Sequence, residues 1–91
     1  MFEYNNSLVF YAQKYVASQL VRKATKKSID PVWGSKSLNL GPDEYGLIVS
    51  KDKKRIAFTF TKAELIEGYG TSEWKDRLST KTNNILRRIE T

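Results

Sequence analysis

Two residue types are missing from this chain altogether: it has no cysteine and no histidine. Without cysteine there is no disulfide, no thiolate metal site and no thiol nucleophile. Without histidine, the side chain best suited to moving protons near neutral pH is gone. The Ser-His-Asp arrangement and most zinc or iron sites go with it. An enzyme built on this chain would have carboxylates, lysine, tyrosine, serine and threonine alone to work with. Gly-rich phosphate loops are absent as well. Gly68-Tyr69-Gly70 lacks any GK[ST] or GxGxxG context, and its glycines serve to end one helix and permit a tight turn. No apolar run approaches the roughly 20 residues that cross a bilayer. The first six residues lack the charged-then-apolar profile of a secretory signal. The expectation is a cytoplasmic protein with no membrane attachment and no cofactor.

What the chain does have is 91 residues, 40% of them hydrophobic and 12% aromatic, enough for one modest core in a single domain spanning residues 1–91. Its formal net charge is +6. The bias is uneven, since residues 5–29 contain no acid while Lys14, Arg22, Lys23, Lys26 and Lys27 fall among them. Positive charge of this kind both keeps a small protein soluble and favours acidic partners.

Hydrophobic periodicity sets out the elements. Residues 7–28 read as a helix, with Asn5, Asn6 or Ser7 as cap and Asp30-Pro31 as stop. At 100° per residue, Val9, Phe10, Ala12, Val16, Ala17, Leu20, Val21 and Ala24 share one half of its cylinder. Tyr11, Tyr15, Ser18 and Arg22 occupy the other. After an irregular stretch around Trp33-Gly34-Ser35, residues 37–40 form a short candidate strand. Residues 45–50 and 55–61 then alternate with period 2. Pairing Ser50 with Arg55 sets Val49 opposite Ile56, Leu47 opposite Phe58 and Tyr45 opposite Phe60, all on one face. A slip of one residue would undo that match. Thr61-Lys62-Ala63-Glu64 is a capping box opening a short helix that ends at Gly68. A last helix, capped by Thr71 or Ser72, runs to about Ile89 with Trp74, Leu78, Thr82, Ile85, Leu86 and Ile89 as its apolar stripe. The order α-β-β-β-α-α, with consecutive strands, predicts an α+β fold. In it, a three-stranded antiparallel meander is covered on one face by the first and last helices.

Several constellations bear on chemistry. Pro42-Asp43 followed by Asp52-Lys53-Lys54 is similar to the PD-(D/E)xK signature of metal-dependent nucleases. That resemblance implies two acids on a divalent ion and a lysine that positions or activates water. It departs from the family in its tighter spacing, and Asp52-Lys53-Lys54 falls in a hairpin turn. Turn chemistry accounts for both segments. Glu64 with Glu67, and Glu73 with Asp76, lie three apart on helices. They suit a hard cation, but they also sit in first turns, where the helix dipole favours negative charge. Arg77, Lys81, Asn84 and Arg88 follow i, i+4, i+7, i+11 spacing, with Arg87 nearby. Such a strip suits a phosphate backbone, and equally suits side chains that snorkel from the core edge. Arg22, Lys23, Lys26 and Lys27 crowd the end of the first helix and would enlarge a positive patch if they adjoin the tip formed by Lys51, Lys53, Lys54 and Arg55. Tyr11, Tyr15 and Arg22 offer a partner-binding strip or a second packing seam.

These observations lead to a small basic non-enzymatic binding module. Nucleic-acid phosphates are the expected partner, held without strong sequence specificity by Arg77, Lys81, Asn84, Arg87, Arg88, Lys23, Lys26 and Lys27. The alternative is a protein-interaction module (an inhibitor, adaptor or homodimer) working through Tyr11, Tyr15 and Arg22.

Overall fold

The computed structural model describes residues 2–24, 29–34, 41 and 43–90, with side chains described from residue 7 onward. The elements run α1 (Phe2–Lys23), β1 (Ile29–Trp33), β2 (Glu44–Lys51), β3 (Lys54–Thr61), α2 (Lys62–Ile66) and α3 (Ser72–Ile89). The three strands form an antiparallel sheet in the order β1-β2-β3, packed against the helices. This is the expected α-β-β-β-α-α meander.

The β2–β3 hairpin has the register that alternation dictates: Ser50 faces Arg55, Val49 faces Ile56, Leu47 faces Phe58 and Tyr45 faces Phe60. Leu47, Val49 and Phe60 are fully buried beneath the helices. On the other face, Ala57 and Thr59 of β3 are exposed. The first strand differs from expectation. Residues 37–40 lie outside the described residues, and β1 is Ile29–Trp33, paired with β2 from Ile29↔Lys51 to Trp33↔Leu47. Pro31 therefore sits within a strand and does not simply end a helix. Gly34 N–H donates to the Gly46 carbonyl at 3.0 Å. By strand alternation, residues 30, 32 and 34 face β2, while position 31 points its backbone to the outer edge. That edge is where a missing N–H costs no ladder bond.

Helix α1 starts earlier and stops earlier than its pattern suggests, spanning Phe2–Lys23; Asn5, Asn6 and Ser7 lie inside it and do not cap it. Its buried side is also rotated. Val9, Ala12, Val16 and Leu20 are buried as expected, joined by Gln19, but Phe10 and Val21 are more than half exposed. Tyr15, assigned to the outer side, turns inward, with its ring centroid 4.9 Å from that of Trp74. Trp74 is the hub of this layer: the Tyr69 ring also lies against it, with centroids 4.7 Å apart, and its indole N–H donates to the Leu65 carbonyl at 2.7 Å. A buried indole needs such a partner. Trp33 in the same way donates to the Gln13 carbonyl, tying β1 to α1.

Helix α3 follows its stripe closely, and Trp74, Leu78, Thr82, Ile85, Leu86 and Ile89 are all buried. The capping box at Thr61 is complete in both directions, and Thr71 caps α3 through the Trp74 N–H. Among the described residues, no helix is long and apolar enough to cross a membrane.

Candidate nucleic-acid interface

The strip read along α3 divides in two. Its first half is turned inward. Helix α2 has only five residues, so most of its carbonyls have no partner within the helix. Arg77 supplies one: a terminal guanidinium nitrogen donates to the Glu64 carbonyl at 2.9 Å and the Glu67 carbonyl at 2.7 Å. Lys81 donates to the Thr59 carbonyl at 2.7 Å and pairs with the Glu64 carboxylate at 2.9 Å. Its ammonium also lies 4.2 Å from the Phe60 ring centroid. Both cations are thus latches between α3 and the β3–α2 corner. Both reach Glu64, Arg77 at its backbone carbonyl and Lys81 at its carboxylate. Burial pushes its pKa up, but the Thr61 backbone donor and the Lys81 charge outweigh this and leave it below its usual value.

The second half faces outward. Asn84, Arg87 and Arg88 are exposed, with Arg88 stacked 5.2 Å from the Phe58 ring centroid. A shallow groove of about 300 Å³ runs between these halves, floored by Phe58, Leu78 and Ile85. Lys23 is half-buried and donates to Ser79 Oγ at 2.8 Å and Asn83 Oδ1 at 3.3 Å, which joins the end of α1 to α3. Lys26 and Lys27 lie outside the described residues.

The basic clusters do come together, though around the hairpin. Lys54 Nζ donates to the Arg88 carbonyl at 2.9 Å, which sets the β2–β3 tip against the last turn of α3. Ile29 pairs with Lys51, so β1 starts at this same end of the sheet. Both helices also point their C-termini toward it. Lys53, Lys54, Arg55, Arg87 and Arg88 are exposed there, with Arg22 and Lys23 on the flank. The acids at this pole are Asp30, Asp52 and Glu90. At the opposite end, Asp43, Glu44, Glu64, Glu67, Glu73 and Asp76 outnumber Lys62, Lys75, Arg77 and Lys81, the last paired with Glu64. The positive charge is segregated, not spread. Cations on the last turns of α1 and α3 answer the negative end of a helix dipole. Lys54 answers the last turn of α3 through the Arg88 carbonyl, but Lys53 and Arg55 flank it on a turn and not on a helix end, so the dipole explains only part of the hairpin's charge. Sequence reading counted the tip only as a possible extension of the α1 cluster. Knowing that the last helix runs antiparallel to β3 would have placed it beside Arg88.

The other groupings fare differently. Asp43 and Asp52 stand at opposite ends of β2, about 30 Å apart at the rise of an extended strand. The paired-acid geometry implied by the nuclease resemblance is therefore not met. Among the described residues, no group of three or more acidic side chains is placed to hold a metal ion. The tyrosine strip also splits, with Tyr15 packed against the core, and Tyr11 and Arg22 exposed. In comparisons with known proteins, the chain matches no family model, and no curated protein or solved structure is significantly similar to it.

Proposed function

We propose that this protein is a nucleic-acid-binding module that grips the phosphate backbone through its basic pole, with little sequence preference. The observation that carries the reading is the Lys54–Arg88 contact, which merges the hairpin tip and the end of α3 into one cationic surface. Lysine and arginine contacts to phosphates fix position but carry no sequence information. Asn84 is a polar, uncharged side chain exposed beside them, so base-edge readers are few. The working set becomes Lys53, Lys54, Arg55, Arg87 and Arg88, flanked by Arg22. Arg77, Lys81 and Lys23 support the surface through their internal bonds.

Salt dependence is the direct test. If the pole neutralises four or five phosphates, log affinity falls against log salt with a slope of about −4, or roughly 250-fold between about 50 and 200 mM. Fluorescence anisotropy with a labelled duplex of arbitrary sequence measures this. Lys53→Glu with Arg55→Glu is expected to remove most of the binding. Lys62→Glu with Lys75→Glu changes net charge equally at the far end and is expected to cost much less. Equal losses from the two pairs, or no binding at low salt, would refute the proposal.

A further inference from the structure

A second surface lies along the outer side of α1 and meets the basic pole only at Arg22, and its case holds whether or not the pole binds phosphates. The inner side of α1 is fully used: Ala12, Val16 and Leu20 have no exposure at all. Its outer side nevertheless carries large apolar groups. Phe10 is 54% exposed, Tyr11 53% and Val21 57%. These are not scattered. Phe10, Lys14, Ala17 and Val21 are spaced four, three and four residues apart, the rhythm by which one helix presents a seam to another. At 1.5 Å per residue the seam is about 17 Å long, which matches roughly two heptads of a partner helix. Between Lys14 and Val21 the small side chains of Ala17 and Ser18 leave a shallow depression, walled by Arg22. Tyr11 and the Lys14 ammonium both lie against Phe10, at 5.9 and 5.3 Å, so the aromatic end is already ordered.

We infer that this outer face of α1 docks an acidic amphipathic helix of another protein. Charge selects that occupant. No acid occurs between positions 5 and 24, and the seam carries Lys14 within it and Arg22 at its edge. A second copy laid on the same face would set these cations against their own counterparts, and like charges across an interface oppose association. A partner with apolar seam residues and glutamates beside them satisfies both the exposed rings and the lysine and arginine heads.

Two designed helical peptides of roughly 18 residues test this, each with leucine at the seam positions. One carries glutamate at the flanks and the other lysine. Calorimetric titration is expected to show the glutamate peptide binding at least about tenfold more tightly. Val21→Asp, a change at an exposed site that leaves the core intact, is expected to abolish that binding. The Lys53→Glu/Arg55→Glu protein is expected to keep it, which separates this seam from general attraction to a cationic protein. Equal binding of the two peptides would overturn the inference, as would binding that survives Val21→Asp or is lost with the hairpin charges. A chain that light scattering shows to be a dimer, dissociated by Val21→Asp, would overturn it in favour of a second copy.

Discussion

Lys81→Met separates a latch from a ligand contact. Methionine keeps the unbranched stem that lies along α3 but removes the ammonium and its three partners. The Glu64 pair is about one-third exposed on both sides, so it is worth at most about 1 kcal/mol. The hydrogen bond to the Thr59 carbonyl is charge-assisted but solvent-exposed, and contributes about 1 kcal/mol, below the usual range for buried charged bonds. The stack on Phe60 adds about 0.5 kcal/mol at a partly exposed site. The sum is about 2 kcal/mol. For a domain of this size the whole folding stability is about 5–14 kcal/mol, and each kcal/mol moves the midpoint by about 4–8 °C. Thermal unfolding followed by circular dichroism should therefore show the midpoint falling by about 10 °C. Binding to duplex DNA, measured well below that midpoint, should lose no more than one phosphate's share of the salt slope, a change of about 0.9. A midpoint that moves by less than about 3 °C, joined to a collapse in affinity, would refute the reasoning and return Lys81 to the binding surface.

The remaining expectations concern Glu64 and Asp52. Glu64 has a lowered pKa in the folded protein. Its stabilisation is therefore present above the ordinary carboxylate range and lost as pH falls through the folded value. Glu64→Gln should be less stable than the parent at neutral pH, and the two should converge in strongly acidic urea titrations; a constant gap at all pH values would contradict this. Asp52 opens the two-residue hairpin turn with φ at 56°, a left-handed conformation that glycine takes without strain. Asp52→Gly should stabilise the protein by about 0.5 kcal/mol and, by removing an acid from the basic pole, tighten DNA binding slightly; a lower melting temperature would count against the turn assignment.

Much of the architecture is legible in the sequence because its signals are redundant. In the hairpin, alternation on both strands and three apolar cross-strand pairs demanded one register. In α3, one polar-to-apolar boundary defined one buried face. The errors arose where a signal was single or doubled. Asp30-Pro31 carries only a breaker signal, and proline argues against a strand unless the strand is known to be an edge. That knowledge comes from the sheet order and not from the residues themselves. In α1 the apolar residues fill a full half of the cylinder, so periodicity alone could not choose between its Val16 edge and its Val21 edge. The aromatic cluster of Trp74, Tyr69 and Tyr15 decided it. The α3 strip failed as a unit for a reason of length. A five-residue α2 leaves carbonyls that need donors, and Arg77 and Lys81 are the cations within reach.

The same accounting explains why function and stability divide the cations between them. A basic side chain close to an orphan carbonyl or a carboxylate gains more from staying than from leaving for a solvated phosphate. The cations left for a partner are those that stand where basic side chains outnumber acids. On this chain that condition holds best at the hairpin tip, where Lys53 and Arg55 flank Lys54, itself bound to the Arg88 carbonyl. Self-repulsion there costs stability in the free protein, and a polyanion relieves it. Binding strength should therefore track the number of basic side chains at that pole and not the net charge of the chain.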